Sequence, residues 1–121
     1  MRVFIADDII NVRRALRCIL ETEPGVTVVG EAATFDQITS QVYRIWPDIL
    51  LLDWNMPELT LKSLSLLRAR FPTLLIIVLS AANEAESEAR MAGVHTFVSK
   101  FESPEKITST LQKIYVERKG S

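Results

Sequence analysis

Four apolar runs of the sequence end in side chains that could bind a cation or take part in group transfer. RVFIA is followed by Asp7 and Asp8, ILLL by Asp53, and the runs LLIIVL and FVS by Ser80 and Lys100. Neighbouring carboxylates repel one another, by roughly 4 kcal/mol for a pair about 4 Å apart at an effective dielectric constant of ~20. A bound cation relieves that repulsion, and hard oxygen ligands favour Mg²⁺.

This combination of side chains is suited to phosphoryl transfer. An aspartate can act as a covalent nucleophile and form an aspartyl phosphate, which makes Asp53 a candidate acceptor. The cation and the compact charge of Lys100 would neutralise the phosphoryl oxygens as charge develops on them. The sequence has a single histidine, His95, which is too few for a zinc site, and we assign it no functional role.

Each of these residues also has an ordinary structural explanation. Asp7 or Asp8 could cap the first helix, Ser80 could be a helix N-cap, Asp53 could form an Asx turn, and Lys100 could be a solvated surface residue. Only their joint position in the fold favours a site.

The elements that would place them together alternate five times between strand and helix. The predicted strands are Arg2–Ala6, Val26–Glu31, Asp48–Asp53, Leu74–Ser80 and His95–Lys100. The predicted helices are Asn11–Glu23, Phe35–Ile45 with Thr34 as N-cap, one from Leu61 that Pro72 ends, Asn83–Met91, and a last one opened by Ser103 and Pro104. This alternation predicts an α/β fold, a doubly wound parallel sheet with helices on both faces. Because parallel strands share one carboxyl edge, four of the five strands deliver a polar side chain to the same rim, and Glu31 is a weaker candidate from the second.

Composition narrows the class of protein. The chain has 121 residues, enough for one domain. Its 14 basic and 15 acidic residues give a net charge of -1, so it lacks the excess of basic residues that is typical of nucleic-acid-binding domains. No apolar run approaches the ~20 residues of a membrane span, and MRVFIADD is too short and too acidic for a signal peptide. The lone Cys18 is expected to be a small buried hydrophobe in a reducing, cytoplasmic compartment.

The motifs ADD, LLLDWNMP, VLSA and FVSK, at this order and spacing, resemble the receiver domain of bacterial two-component response regulators. The stretch GVTVVGEAATFDQ most resembles receivers of the NarL/LuxR type. The resemblance implies one receiver domain over residues 1–121, with 117–121 as the start of a linker or a frayed tail. It also implies a flavodoxin-like five-stranded sheet in the order 2-1-3-4-5 with five helices.

The resemblance also implies roles for single residues. Asp53 matches the phosphoacceptor, and Asp7 and Asp8 match the acidic pair that holds Mg²⁺ with Asp53. A backbone carbonyl ligand would come from Asn55. The remaining matches are to the hydroxyl residue, the lysine and the switch aromatic of the family: Ser80, Lys100 and Phe97.

The implied mechanism is a population shift driven by a sensor histidine kinase. Phosphorylation of Asp53 would draw Ser80 toward the new oxygens and turn Phe97 inward, changing the surface of the fourth helix, fifth strand and fifth helix. That surface would form a homodimer or meet an output domain downstream, such as a DNA-binding domain. The chain itself would contact neither nucleic acid nor membrane, and it would catalyse only its own phosphorylation and dephosphorylation.

Several positions depart from the family pattern. Phe101 replaces the usual proline after the lysine, so no cis bond is expected there. MPELTLKS lacks the glycines of the MPGMDG-like loop and is about one residue shorter. Ile9 and Ile10 stand where relatives often carry a polar residue or a proline, and Ala82 leaves little shielding over the phosphoryl site. These departures keep open an interaction module that works without phosphorylation. A true enzyme is disfavoured, because no GxGxxG follows the first strand and the acceptor follows the third strand, whereas haloacid-type phosphatases carry a DxD near the first.

Overall fold

The structure is a computed structural model, and it describes residues 1–80, 93–94, 96–99 and 103–119. The strands are β1 (Arg2–Ala6), β2 (Thr27–Ala32), β3 (Ile49–Asp53), β4 (Leu75–Ser80) and β5 (Thr96–Ser99). The helices in this part of the chain are α1 (Ile10–Glu21), α2 (Phe35–Ile45), α3 (Leu61–Arg70) and α4, the C-terminal helix (Pro104–Lys119). Most bounds lie within a residue or two of the predicted ones, and the predicted helix Asn83–Met91 lies outside the described residues.

All five strands form one parallel sheet in the order β2-β1-β3-β4-β5, which confirms the predicted α/β architecture. Every residue of β3 and β4 is buried, as expected for central strands covered on both faces. Alternate residues of these strands face two separate apolar cores. One core is closed by α2 and α3, through residues such as Ile38, Val42, Leu64 and Leu67. The other is closed by α1 and the C-terminal helix, through Leu16, Leu20, Ile107 and Leu111.

Side-chain caps fix where α2 and α3 begin. The Thr34 hydroxyl accepts a hydrogen bond from Gln37 N at 3.3 Å, as the sequence predicted. Thr60 and Ser63 form a reciprocal capping box, with Ser63 N donating to Thr60 Oγ1 at 3.0 Å and Thr60 N donating to Ser63 Oγ at 2.8 Å. Both caps lie at the carboxyl edge of the sheet, where the predicted site residues are.

The pairing between β1 and β2 contains one irregularity. Val3 pairs with Val28 but Phe4 pairs with Gly30, so the register passes over Val29. At Gly30 a Cβ atom would lie 2.7 Å from Phe4 Cε2, so the glycine makes room for the phenyl ring of the neighbouring strand. The edge strand therefore packs closely against β1 only because this position has no side chain.

Cys18 is exposed, which contradicts its predicted burial. The buried residues of α1 are Leu16 and Leu20, and Cys18 lies two positions from each, about 200° around the helix, on the opposite face. Ile9 and Ile10 are each 50% exposed, so their side chains are only partly covered. Within the described residues, no helix has the length and apolar character needed to cross a membrane.

Candidate functional site

Three carboxylates meet at the carboxyl edge of the sheet. One oxygen from each of Asp7, Asp8 and Asp53 lies within 4.8 Å of the other two. Asp53 ends β3 and Asp7 directly follows β1, and the two strands pair with Ala6 opposite Leu52, so the parallel register brings these aspartates side by side. Asp7 and Asp53 are buried, whereas Asp8 is exposed, so the cluster opens to solvent on the Asp8 side.

The two buried carboxylates are oriented by the backbone that follows them. Ile9 N donates to Asp7 Oδ1 at 2.9 Å, and Asn55 N donates to Asp53 Oδ1 at 3.1 Å. Asp53 therefore does form the Asx-type contact considered from the sequence. The helix-cap explanation for Asp7 and Asp8 is wrong, because Ile9 is the N-cap of α1 and makes no side-chain cap bond.

The donor set fits a magnesium ion. Its members are carboxylate oxygens, the hard ligands that Mg²⁺ prefers. The Asp8 carboxylate is exposed to solvent, so a bound ion could keep the several water ligands that Mg²⁺ usually retains. An ionised carboxylate has about four lone-pair sites, so a hydrogen bond from the backbone is compatible with binding a cation. Asp7, Asp8 and Asp53 would hold the ion. The predicted carbonyl ligand of Asn55 remains a prediction, since the contact that the structure gives Asn55 is through its N–H.

Ser80 lies at the same edge. It ends β4, is 1% exposed, and follows Leu79, the residue paired with Asp53. Trp54 N donates to Leu79 O at 3.0 Å, which ties the chain after Asp53 to β4. The structure thus places the hydroxyl one residue beyond the level of the acceptor, on the neighbouring strand.

The other two predicted residues are less fully placed. Ser80 pairs with Ser99 at the end of β5, and Lys100 is the next residue, but Lys100 lies outside the described residues. The same is true of Phe101 and Ala82. Phe97 pairs with Val78 in the middle of β5, and only its backbone is described.

The loop after Asp53 keeps a left-handed residue without a glycine. Glu58 has φ 70°, and it follows Met56 and Pro57, the place where the MPGMDG-like loop has its first glycine. Leu59 N donates to Met56 O at 3.3 Å and Met56 is buried, so the turn is closed and anchored. The loop lacking glycine therefore still turns, but with strain at Glu58.

Sequence reasoning missed Arg13 and underrated Glu31. Arg13 Nη1 donates to the backbone oxygen of Asp7 at 2.6 Å, and its Nε lies 3.3 Å from Glu31 Oε1. Arg17, one turn further along α1, donates from Nε to Glu31 Oε2 at 2.7 Å. The available signal was that Arg13 and Arg17 are four residues apart on one helix face, and that Glu31 is the polar residue near the end of the strand beside β1.

The family model of the response regulator receiver domain matches residues 3–112 of the chain. The chain belongs to this family. The fold of this receiver domain is shared with solved NarL- and LuxR-family regulators, in agreement with the sequence-based prediction. The signal receiver domain of a putative NarL regulator from Mycobacterium tuberculosis superposes with a TM-score of 0.88 at 24% identity, over 94% of each chain. The isolated receiver domain of RcsB from Salmonella enterica, solved with a beryllofluoride phosphomimetic, superposes with a TM-score of 0.82 at 29% identity. The match covers 93% of this chain and 88% of the RcsB domain.

Curated relatives of the receiver domain are longer than this chain. An uncharacterised transcriptional regulatory protein, YhcZ of Bacillus subtilis, is 34% identical over 115 residues, which is 93% of this chain and 54% of that protein. A protein-glutamate methylesterase/protein-glutamine glutaminase of Methanosarcina mazei is 34% identical over 110 residues, 90% of this chain and 30% of that protein. The chain therefore spans about half of the first relative and under a third of the second.

Proposed function

We propose that this receiver domain is a phosphorylation-dependent signalling switch. Asp53 accepts a phosphoryl group from a sensor histidine kinase, with Mg²⁺ held by Asp7, Asp8 and Asp53. The observation that carries the proposal is the convergence of three carboxylate oxygens within 4.8 Å of one another, two of them on buried side chains. Such a cluster is costly without a cation and is the arrangement that phosphoryl transfer needs.

The chemistry assigned to the chain is nucleophilic attack by an Asp53 carboxylate oxygen on phosphorus. A P–O bond to Asp53 forms while the bond from phosphorus to the donor breaks, a P–N bond for a phosphohistidine or a P–O bond for acetyl phosphate. The Asn55 N–H bond fixes the carboxylate orientation before attack. When bound, the cation would neutralise charge on the transferring oxygens, and Lys100 would contact the same group.

The signal would pass through Ser80 and Phe97. Ser80 ends the strand next to Asp53, and Phe97 lies on β5, the strand beside it. Their movement would change the surface that the predicted fourth helix, β5 and the C-terminal helix are expected to form. We assign this surface to homodimer formation or to contact with an output domain. The LuxR-family and transcriptional regulators among the relatives support a DNA-binding output in a cytoplasmic two-component system. No turnover beyond self-phosphorylation and self-dephosphorylation is expected.

The second candidate is a receiver-like interaction module that works without phosphorylation. The strained, glycine-free turn at Glu58 favours it, because this loop follows the acceptor directly. In that case Asp53→Asn would leave the affinity for a partner unchanged.

The test is incubation of the purified chain with Mg²⁺ and acetyl phosphate, followed by intact mass. The expected result is the mass gain of one phosphoryl group, which is lost in Asp53→Asn and without Mg²⁺. Asp36→Asn is the matched control, because Asp36 is an exposed carboxylate of α2 outside the cluster, and it should gain the same mass. A folded wild-type chain that gains no mass, or an Asp53→Asn chain that does, would contradict the proposal.

A further inference from the structure

We propose that Arg13 is a positioning residue for the acidic site, and that Glu31 holds Arg13 in place. The inference rests on the proposed function, since it concerns the site at which Mg²⁺ would bind. Among the described residues, Arg13 contacts the backbone oxygen of Asp7 and the carboxylate of Glu31, and not the carboxylate oxygens of the acidic cluster. It acts through the backbone of Asp7, the buried member of the acidic pair.

The backbone of Asp7 is held from both sides. Its N–H donates to Ala32 O on β2 at 3.0 Å, and its carbonyl oxygen accepts from Arg13 Nη1 at 2.6 Å. Its side chain accepts from Ile9 N at 2.9 Å. Of these three hydrogen bonds, the one from Arg13 is the one that depends on the side chain of another residue. A substitution that leaves Asp7 itself intact can therefore remove it. Without it the peptide group between Asp7 and Asp8 can rotate, and both carboxylates move with it.

Arg13 is itself fixed by Glu31. The side chain of Arg13 is 14% exposed and that of Glu31 is 28% exposed, so the ion pair is largely shielded from water. Glu31 Oε2 also accepts from Arg17 at 2.7 Å, so two arginines of α1 share one carboxylate of β2. A planar guanidinium can reach two acceptors at once, which here are a backbone oxygen and a carboxylate. The result is a rigid link from β2 through α1 to the end of β1.

The sign of the expected effect separates positioning from simple electrostatics. A guanidinium close to a cation site repels the cation, so by charge alone its removal should tighten Mg²⁺ binding. Positioning predicts the opposite, because displaced ligands bind more weakly. Substitution of a residue that orients a metal ligand without itself binding the metal typically lowers the metal affinity 10–100-fold.

The experiment is a titration of the full chain with magnesium chloride, read by tryptophan fluorescence. Trp54 follows Asp53 directly, while Trp46 lies at the C-terminal end of α2 and supplies a constant background. Arg13→Gln is expected to weaken Mg²⁺ binding about tenfold, at the lower end of the range for such residues. Arg13→Lys keeps the charge but cannot reach both acceptors, and it should weaken binding to a similar degree. Arg14→Gln removes a charge from the exposed side of α1 and should leave the affinity unchanged or slightly tighter.

The inference would be overturned if Arg13→Gln bound Mg²⁺ as tightly as the wild-type chain or more tightly. If Arg13→Gln does not fold, the same result in Arg13→Lys would overturn it. The dissociation constant of the folded chain does not respond to a general loss of stability, so a merely structural role would not produce the expected change. Glu31→Gln should also weaken binding, and the double variant with Arg13→Gln should be no weaker than Arg13→Gln alone, because Glu31 acts through Arg13. A wild-type chain that binds no Mg²⁺ would instead contradict the proposed function.

Discussion

Glu58 is a residue whose backbone conformation suits glycine better than glutamate. A non-glycine residue with φ near 70° destabilises the folded chain by about 1–3 kcal/mol. Glycine avoids this strain, but part of the gain is lost because glycine also gives the unfolded chain more conformational freedom. We expect Glu58→Gly to raise the free energy of unfolding by about 1 kcal/mol, measured by urea denaturation without Mg²⁺. Glu58→Ala removes the same charge but keeps a Cβ atom, so it should gain little. Equal stability of the two variants would show that the turn is unstrained.

Asp8 is the exposed member of the acidic cluster, so its charge can be removed without opening a cavity. Two carboxylates at 4.8 Å repel by about 1 kcal/mol even at the dielectric constant of bulk water. Without Mg²⁺, Asp8→Asn is therefore expected to unfold at a higher urea concentration than the wild-type chain. Glu117→Gln, which removes an exposed acid of the C-terminal helix, serves as the control and should change little. A loss of stability in Asp8→Asn would mean that repulsion within the cluster is already relieved.

The sequence predicted the acidic residues of the site more completely than the residues that hold them. Asp7, Asp8 and Asp53 could be predicted because strand ends are readable and parallel strands share an edge. Arg13 could not be assigned, because helical spacing identifies a face but not the backbone oxygen that a long side chain reaches. Cys18 was misassigned by placing it on the apolar face of α1.

At the level of elements, the spacing between α2 and the sheet depends on Gly30. A Cβ there would lie 2.7 Å from the Phe4 ring and 3.1 Å from Ile45 Cδ1 of α2. Gly30→Ala is expected to lower the free energy of unfolding by about 1–3 kcal/mol, the usual cost of overpacking. Phe4→Leu in the same chain should recover part of that loss, which a double-mutant cycle in urea would measure. Additive losses would show that the ring is not what the new methyl group meets.

The bounds of the helices and strands were predictable where the chain carries an explicit signal. Thr34 gave the start of α2, and Pro104 gave the start of the C-terminal helix. For the irregular register between β1 and β2 the sequence carries only a weak signal, which is the glycine at position 30 inside a predicted strand. Val29 is β-branched and apolar like Val28, and the pairing resumes at Gly30, whose missing Cβ leaves room for the Phe4 ring.

On the scale of the whole molecule, cation binding and folding should be linked. Asp53 ends β3, whereas Asp7 and Asp8 follow β1, so the unfolded chain has no such site. A ligand that binds only the folded state stabilises it by about 2.7 kcal/mol at a concentration 100 times its dissociation constant. We expect the midpoint of urea unfolding to rise with Mg²⁺ concentration in the wild-type chain, and much less in Asp53→Asn. An equal rise in both chains would place the bound ion elsewhere.

The parallel sheet was predictable because two strands are apolar throughout and β and α patterns alternate, whereas the strand order followed from the resemblance to receiver domains. That order leaves β2 at one outer edge, where main-chain donors and acceptors could serve as a template for strand addition by another molecule. The register passes over Val29 in the middle of that strand, so the regular ladder of donors and acceptors is interrupted there. An incoming strand could extend the sheet for only a few residues on either side, and this flank of the molecule is thereby protected against intermolecular β-aggregation.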